Sequence, residues 1–130
     1  MFRNRLVKVY RHLAKQAGQL GVSCYRLYDH DMPEFPFCIE VYGENLYIAE
    51  YKRKHRMEDI LDIQRDHPVL INDCIRILKP GASLYFITNY QKFVLEKEKI
   101  KAELIKDITR QTTPFDFEGR LQRLCFRIEK

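Results

Sequence analysis

The run Ser83-Leu84-Tyr85-Phe86-Ile87-Thr88 constrains this chain more than any other stretch. It is nearly continuous in apolar and aromatic residues, carries no charge, and follows the breaker Lys79-Pro80-Gly81. A short run of strand formers with that pattern reads as a β-strand covered on both faces. The chain must therefore build a layered structure around it, and the remaining segments supply the layers.

Residues 2–20 carry a helical period. Phe2, Leu6, Val9, Tyr10, Leu13, Ala17 and Leu20 form a stripe about 100° wide, and Gly18 and Gly21 suit the helix exit. Residues 22–28 read as a strand. Asp29–Pro36 reads as a loop, with Pro33 and Pro36 as breakers. Residues 37–42 and 46–51 are strand-like runs around Gly43-Glu44-Asn45, a hairpin signal. Residues 57–78 are helical in pattern, and Pro68 either bends that helix or starts a second one. Asn89–Lys92 is expected as a turn and 93–105 as a charged helix. Residues 107–113 should be a strand, 115–119 a loop and 121–128 the last strand. This order predicts an α/β or α+β fold, a mixed β-sheet with flanking helices. The expected units are an α-β-β-β segment at 1–51 and a second segment at 52–130, packed together.

Charge is segregated. Residues 1–28 hold six bases and no acid, residues 29–51 hold six acids and no base, and residues 52–130 hold 17 bases and 12 acids. Lys8, Arg11 and Lys15 form a helical stripe, flanked by Arg3 and Arg5, with no acid inside the helix to pair with them. Ordinary surface helices interleave Glu with Lys, as residues 96–103 do. The run Lys52-Arg53-Lys54-His55-Arg56 adds four formal charges. Such a stripe points to phosphate contact or, alternatively, to docking on the acidic 29–51 block. The charged start of the chain and the lack of a long apolar run predict a soluble cytoplasmic protein with no membrane partner.

Other motifs favour structural roles. Cys24, Cys38, Cys74 and Cys125 are widely spaced, without a C-x-x-C pair, and the last three have apolar neighbours. They read as reduced thiols behaving as small hydrophobes, not as metal ligands. His12, His30 and His55 are scattered and suggest no metal set. Asp66 and His67 resemble an acid–base couple, yet adjacent helical residues point about 100° apart, and His67 before Pro68 reads as a turn or cap residue. Tyr85, Phe86 and Tyr90 could stack bases but read as core. The five glycines form neither G-x-G-x-x-G nor G-x-x-x-x-G-K-[ST], so no phosphate-cradling loop is present in the sequence.

Several stretches carry a family resemblance. Met1-Phe2-Arg3-Asn4-Arg5-Leu6, Cys24-Tyr25-Arg26-Leu27-Tyr28-Asp29-His30-Asp31-Met32-Pro33-Glu34 and Tyr47-Ile48-Ala49-Glu50-Tyr51 resemble the opening of one domain. That domain is the C-terminal, guanine-N7 half of the bacterial bifunctional 23S rRNA guanine methyltransferases. Arg56-Met57-Glu58-Asp59, Asp62-Ile63-Gln64-Arg65-Asp66-His67 and the run to Lys130 resemble its end. The resemblance implies a partial Rossmann-like methyltransferase core preceded by an α-β-β-β accessory segment. In the family a long stretch separates the two blocks and holds the loop for S-adenosylmethionine and an Asp-Pro-Pro motif. This sequence contains no Asp-Pro dipeptide and runs from Glu50-Tyr51 almost directly into Lys52. The expectation is an internally deleted relative with no cofactor site and no autonomous methyl transfer. Gln64, Arg65, Asp66 and His67 match a motif near the family's catalytic loop. In the family the strand matching 83–88 is interior, so here its exposed edge should pair with 37–42 or 46–51, within the chain or in a homodimer. Three functions remain open: an RNA-binding remnant tied to rRNA modification, a protein-interaction module, or a residual enzyme completed by another subunit.

Overall fold

The computed structural model describes residues 2–29, 37–50, 63–90, 92–113 and 123–130, and the side chain of Phe2 is not among the described groups. The elements are α1 (Phe2–Leu20), β1 (Cys24–Asp29), β2 (Phe37–Tyr42), β3 (Asn45–Glu50), α2 (Ile63–Ile77), β4 (Ser83–Thr88), β5 (Leu104–Asp107), α3 (Thr109–Thr112) and β6 (Leu124–Glu129). The six strands form one mixed sheet in the order β1-β2-β3-β4-β6-β5. Only β3 and β4 run parallel; every other neighbouring pair is antiparallel. The expected mixed α/β architecture is present.

Alternation along the strands separates two faces. Phe37, Ile39, Val41, Leu46, Ile48, Leu84, Phe86, Phe126 and Ile128 are buried on one of them. That face carries α1 and α2, which contribute Leu6, Leu70, Ile71, Cys74 and Ile75 to the same core. Each fully buried Leu, Ile or Phe contributes roughly 1.5–3 kcal/mol of transfer free energy, so this face dominates stability. The opposite face bears Cys38, Glu40, Tyr47, Tyr85, Ile87, Cys125 and Arg127. Strand 83–88 is therefore less evenly covered than its composition suggests. Leu84, Phe86 and Thr88 are buried toward the helices, while Tyr85 and Ile87 are half-buried on the other side.

Both edges of β4 are filled within the chain. Leu46 pairs with Leu84 and Ile48 with Phe86 across the parallel junction. On the far side Phe86 pairs with Phe126 and Ile87 with Cys125. The side-chain oxygen of Asn45 accepts the Ser83 N–H at 2.9 Å, extending the junction beyond the ladder. Of the two segments expected to pair with 83–88, the one at 45–50 does so.

The end of α1 follows a Schellman pattern: Val22 N–H donates to the Ala17 carbonyl at 2.9 Å and Gly21 to Gly18 at 3.4 Å. Gly21 adopts φ 71°, which a side chain would strain. Leu20, expected on the apolar stripe, lies past the core and is 74% exposed. The hairpin between β2 and β3 turns at Gly43, with φ 61°. Helix α2 continues through Pro68 without a second start; the part of the expected helix at 57–62 lies outside the described residues, as do the loops at 30–36 and 115–119.

Two expectations are corrected. Residues 93–105 are not a helix: an extended stretch with one tight 3-10 turn at Lys97–Lys99 leads into β5. Phe93 and Leu95 are buried on either side of exposed Val94, a period of two that the Glu/Lys-rich composition obscures. Residues 107–113 are not a strand but contain the single turn α3. Asp107 Oδ1 accepts the Thr109 N–H at 2.9 Å, and the Thr112 and Thr113 hydroxyls donate to the carbonyls of Ile108 and Thr109. These local bonds outcompete a ladder. The final antiparallel pair exists, with β5 placed at 104–107.

Candidate functional site

The charged residues of α1 all face solvent: Arg3, Arg5, Lys8, Arg11 and Lys15 are exposed. At 100° per residue, Lys8, Arg11 and Lys15 fall within about 60° of one another, roughly diametrically opposite the stripe of Leu6, Val9, Tyr10, Leu13 and Ala17. That position follows from the packing. Leu6 and Ala17 are buried against the sheet and α2, so the basic side has nowhere to point but outward. Arg3, Asn4, Lys8, Arg11 and His12 line an open depression along it.

Three acids of the 29–51 block are engaged elsewhere. Asp29 and Glu40 meet Arg26 at 2.8 and 3.8 Å, and Glu44 meets Lys79 at 3.2 Å. Among the described residues no ion pair involves Lys8, Arg11 or Lys15; Asp31 and Glu34 lie outside the described set. The first turn of α1 has no acid. Arg3 and Arg5 therefore sit at the positive end of the helix dipole, an arrangement unfavourable by about 0.3–1 kcal/mol per charge at a surface. Asp73 on α2 offsets part of this. Burial pushes its carboxyl above the usual range and Arg3 pulls it back. The run Lys52, Arg53, Lys54 and Arg56 lies outside the described residues.

The family-motif positions of α2 are placed differently. Gln64 makes reciprocal bonds with the backbone of Val94: its Nε2 donates to the carbonyl at 2.8 Å and its Oε1 accepts the N–H at 2.9 Å. Asn72 repeats the device two turns later, donating to the Lys99 carbonyl at 2.8 Å and accepting the Lys101 N–H at 2.9 Å. Between them His67 is fully buried. Its Nδ1 lies 2.7 Å from the Ile63 carbonyl and 3.0 Å from that of Gln64, and its Nε2 accepts the Glu96 N–H at 3.1 Å. Those partners fix the neutral tautomer with the proton on Nδ1. Burial pushes the imidazole below its usual range, and the two carbonyls pull it partly back. Pro68 explains the Gln64 bond. A residue with an N–H at position 68 would serve the Gln64 carbonyl, and proline cannot. His67 is thus neither a turn residue nor half of an acid–base couple; it does the work of a cap inside a helix. Arg65 and Asp66 form a neighbouring two-point pair at 2.9 and 2.9 Å.

Gln64, His67 and Asn72 together hold residues 94–101 by side chain-to-backbone bonds. Asn72 carried no signal in the sequence beyond its place on the same helix face as Gln64. The cysteines behave as expected for reduced thiols: Cys38, Cys74 and Cys125 are buried, Cys24 is exposed, and all are free. Burial raises the thiols of Cys38, Cys74 and Cys125. Among the described residues no His, Cys, Asp or Glu cluster could hold a metal ion. Of the three aromatics that could stack bases, Phe86 is core, Tyr85 is half-buried and Tyr90 is 44% exposed. Among the described residues, no helix is long and apolar enough to cross a membrane.

The chain resembles part of the ribosomal RNA large subunit methyltransferases K and K/L. It is 44% identical over 79 residues to the K/L protein of Legionella pneumophila (strain Corby), covering 60% of this chain and 11% of that protein. It is 37% identical over 101 residues to the K protein of Neisseria meningitidis serogroup B, covering 72% and 28%. Over 51 residues it is 49% identical to the K/L protein of Chromohalobacter salexigens, covering 39% and 7%. The chain thus spans about a tenth to a quarter of the length of the first two relatives. No family model matches it.

Proposed function

We propose that this chain is an RNA-binding relative of the large-subunit rRNA methyltransferases that contacts structured rRNA in the cytoplasm through the outer face of α1, without a cofactor site of its own. One observation carries the reading. Lys8, Arg11 and Lys15 lie in one exposed line opposite the core stripe, while Asp29, Glu40 and Glu44 are engaged by Arg26 and Lys79. Phosphate contacts of this kind position a protein on RNA with little reading of bases. The 52–56 run adds cations in the sequence. The rRNA relatives supply the class of polyanion.

The cofactor reading rests on the glycines. Gly21, Gly43 and Gly81, with φ 71°, 61° and 87°, serve a helix exit, a hairpin and the approach to β4. None of the three stands at a strand-to-helix turn of the kind that cradles phosphates or a nucleoside. Autonomous methyl transfer needs a held cofactor and an oriented nucleophile, so rRNA modification would be assisted, not performed, by this chain. Of the alternatives, a homodimer through 83–88 or the 37–51 hairpin lacks support, because β2, β3 and β4 each have neighbours on both sides.

The test is binding of large-subunit rRNA fragments across a salt series. Affinity should fall steeply with salt, by a slope in log–log form of roughly 0.7–0.9 per phosphate contact. Lys8→Glu, Arg11→Glu and Lys15→Glu together should abolish most of that slope. Salt-independent binding, or no binding, rejects the reading. Heat on titration with S-adenosylmethionine would reject its cofactor clause and favour a residual enzyme.

A further inference from the structure

The face of the sheet turned away from α1 and α2 carries an ordered row that no single strand reveals. Following the register across all six strands, Arg26 pairs with Glu40, Glu40 with Tyr47, Tyr47 with Tyr85, Tyr85 with Arg127, and Arg127 with Lys106. Paired residues in a ladder share a face, so all six lie on one line. Tyr47 and Tyr85 occupy its centre on adjacent strands, about 4.8 Å apart. Tyr42, 47% exposed, meets Tyr47 edge-on with ring centroids 6.2 Å apart. The next row, Cys38, Ala49, Ile87 and Cys125, has small or apolar side chains and leaves a floor beside the tyrosines.

A groove of about 450 Å³ runs over this floor, lined by Tyr47, Tyr85, Ile87, Ile108, Arg123 and Cys125. Its lining is mainly apolar, but its β6–β5 side is cationic. Arg123, Arg127 and Lys106 stand there, with Glu129 3.8 Å from Arg127 and Asp107 near Cys125 as the described carboxylates on that side. Arg123 is close enough to Tyr47 to act on the phenol's charge. Aromatic faces beside cations match the two parts of a nucleotide, since bases stack on rings and phosphates seek arginine.

We infer that this face is a stacking platform for unpaired bases of single-stranded RNA, with bases on Tyr47 and Tyr85 and the backbone along Arg123, Arg127 and Lys106. The inference deepens the RNA reading above and rests on it for the polyanion. It uses the opposite side of the sheet, so the two contacts are separable. Helix α1 would hold phosphates whatever the base, and the platform would require bases.

Binding of the full chain to two labelled ten-nucleotide strands tests it: oligoadenylate, and an abasic ribose-phosphate strand of equal charge. Oligoadenylate should bind on the order of tenfold tighter or more. Tyr47→Leu with Tyr85→Leu should erase that gap and leave abasic binding unchanged. Tyr47→Phe with Tyr85→Phe, which keeps the rings and serves if the leucine pair fails to fold, should retain it. Equal affinity of the wild type for both strands overturns the platform and leaves the α1 reading standing. A base-dependent gap with abasic binding indifferent to Lys8→Glu, Arg11→Glu and Lys15→Glu overturns the α1 reading alone. Absence of binding to either strand overturns the platform, and the rRNA-fragment salt series decides the α1 reading separately. A wild-type dimer that falls to monomer mass in the leucine pair also overturns the platform, by making the face a contact between copies.

Discussion

His67→Phe should destabilise the protein in a way that Pro68→Ala partly repairs. Phenylalanine keeps a ring in contact with Phe93, whose centroid lies 4.6 Å from that of His67. It removes both ring nitrogens. The Ile63 carbonyl keeps the backbone N–H of residue 67, its ordinary helical partner. The Gln64 carbonyl loses Nδ1 and gets no N–H from Pro68, and the Glu96 N–H loses Nε2. Two part-buried groups each lose a hydrogen bond, at about 1–3 kcal/mol each. A total loss of roughly 2–6 kcal/mol is large against the 5–15 kcal/mol typical of a whole domain. Pro68→Ala supplies an N–H to the Gln64 carbonyl. In the His67→Phe background that bond is new, whereas in the wild type it competes with His67. A double-mutant cycle by urea unfolding at pH 7.5, followed by circular dichroism, should therefore give a coupling of about 1 kcal/mol. The same variants test the charge state. The folded imidazole titrates below its usual range. Stability is then complete above about pH 6.5 and falls with pH toward the folded value, by at most about 1.4 kcal/mol per pH unit. His67→Phe lacks that dependence. Asp73, raised by burial, contributes in the opposite sense at lower pH and is common to both proteins. Coupling indistinguishable from zero, or equal pH slopes for wild type and His67→Phe between pH 7.5 and 5.5, would refute the assigned bonds.

Two further outcomes follow from the same geometry. Gln64→Ala should deprotect the Val94 amide, and Asn72→Ala the Lys101 amide, in hydrogen exchange, with little change in the β4 amides; uniform loss across the sheet would mean that these amides hold the core rather than one segment. In the native state Cys24 should react with iodoacetamide while Cys38, Cys74 and Cys125 do so only on unfolding, which mass spectrometry after pulsed alkylation decides.

The elements that sequence periodicity located are those whose own residues contain the reason for their form. Helix α1 follows from its apolar stripe, and β2 and β3 from alternation around Gly43. Residues 93–105 fail that test because their partners lie elsewhere. Glu and Lys give the stretch helical propensity, yet the side-chain amides of Gln64 and Asn72, thirty residues upstream, serve its backbone as a strand would. Tertiary bonding overrides a weak local preference. The same division applies to function. The cationic line on α1 was legible because a helix fixes the angle between Lys8, Arg11 and Lys15. Whether acids answered it was not, since the pairing of Asp29 and Glu40 with Arg26 depends on strand register. The tyrosine row was invisible for the same reason: Tyr47 and Tyr85 become neighbours only through the parallel pairing of β3 with β4.

That parallel pairing also bears on how such a chain folds while resembling only part of each relative. Parallel strands cannot be joined by a tight turn; they need a crossover of a dozen or more residues, usually with a helix. Between Glu50 and Ser83 the chain supplies one, containing α2. The joined strands match in kind, Leu46 beside Leu84 and Ile48 beside Phe86, and all four side chains are fully or nearly fully buried. A complete strand–helix–strand unit is therefore present whatever the relatives carry between their corresponding segments. The apolar edge of β4 is covered, and the core on the helix side closes under α1 and α2. Stability of this fold rests on contacts that make no use of a cofactor loop. A folded, soluble chain would thus say nothing about methyl transfer, and the two must be assayed separately.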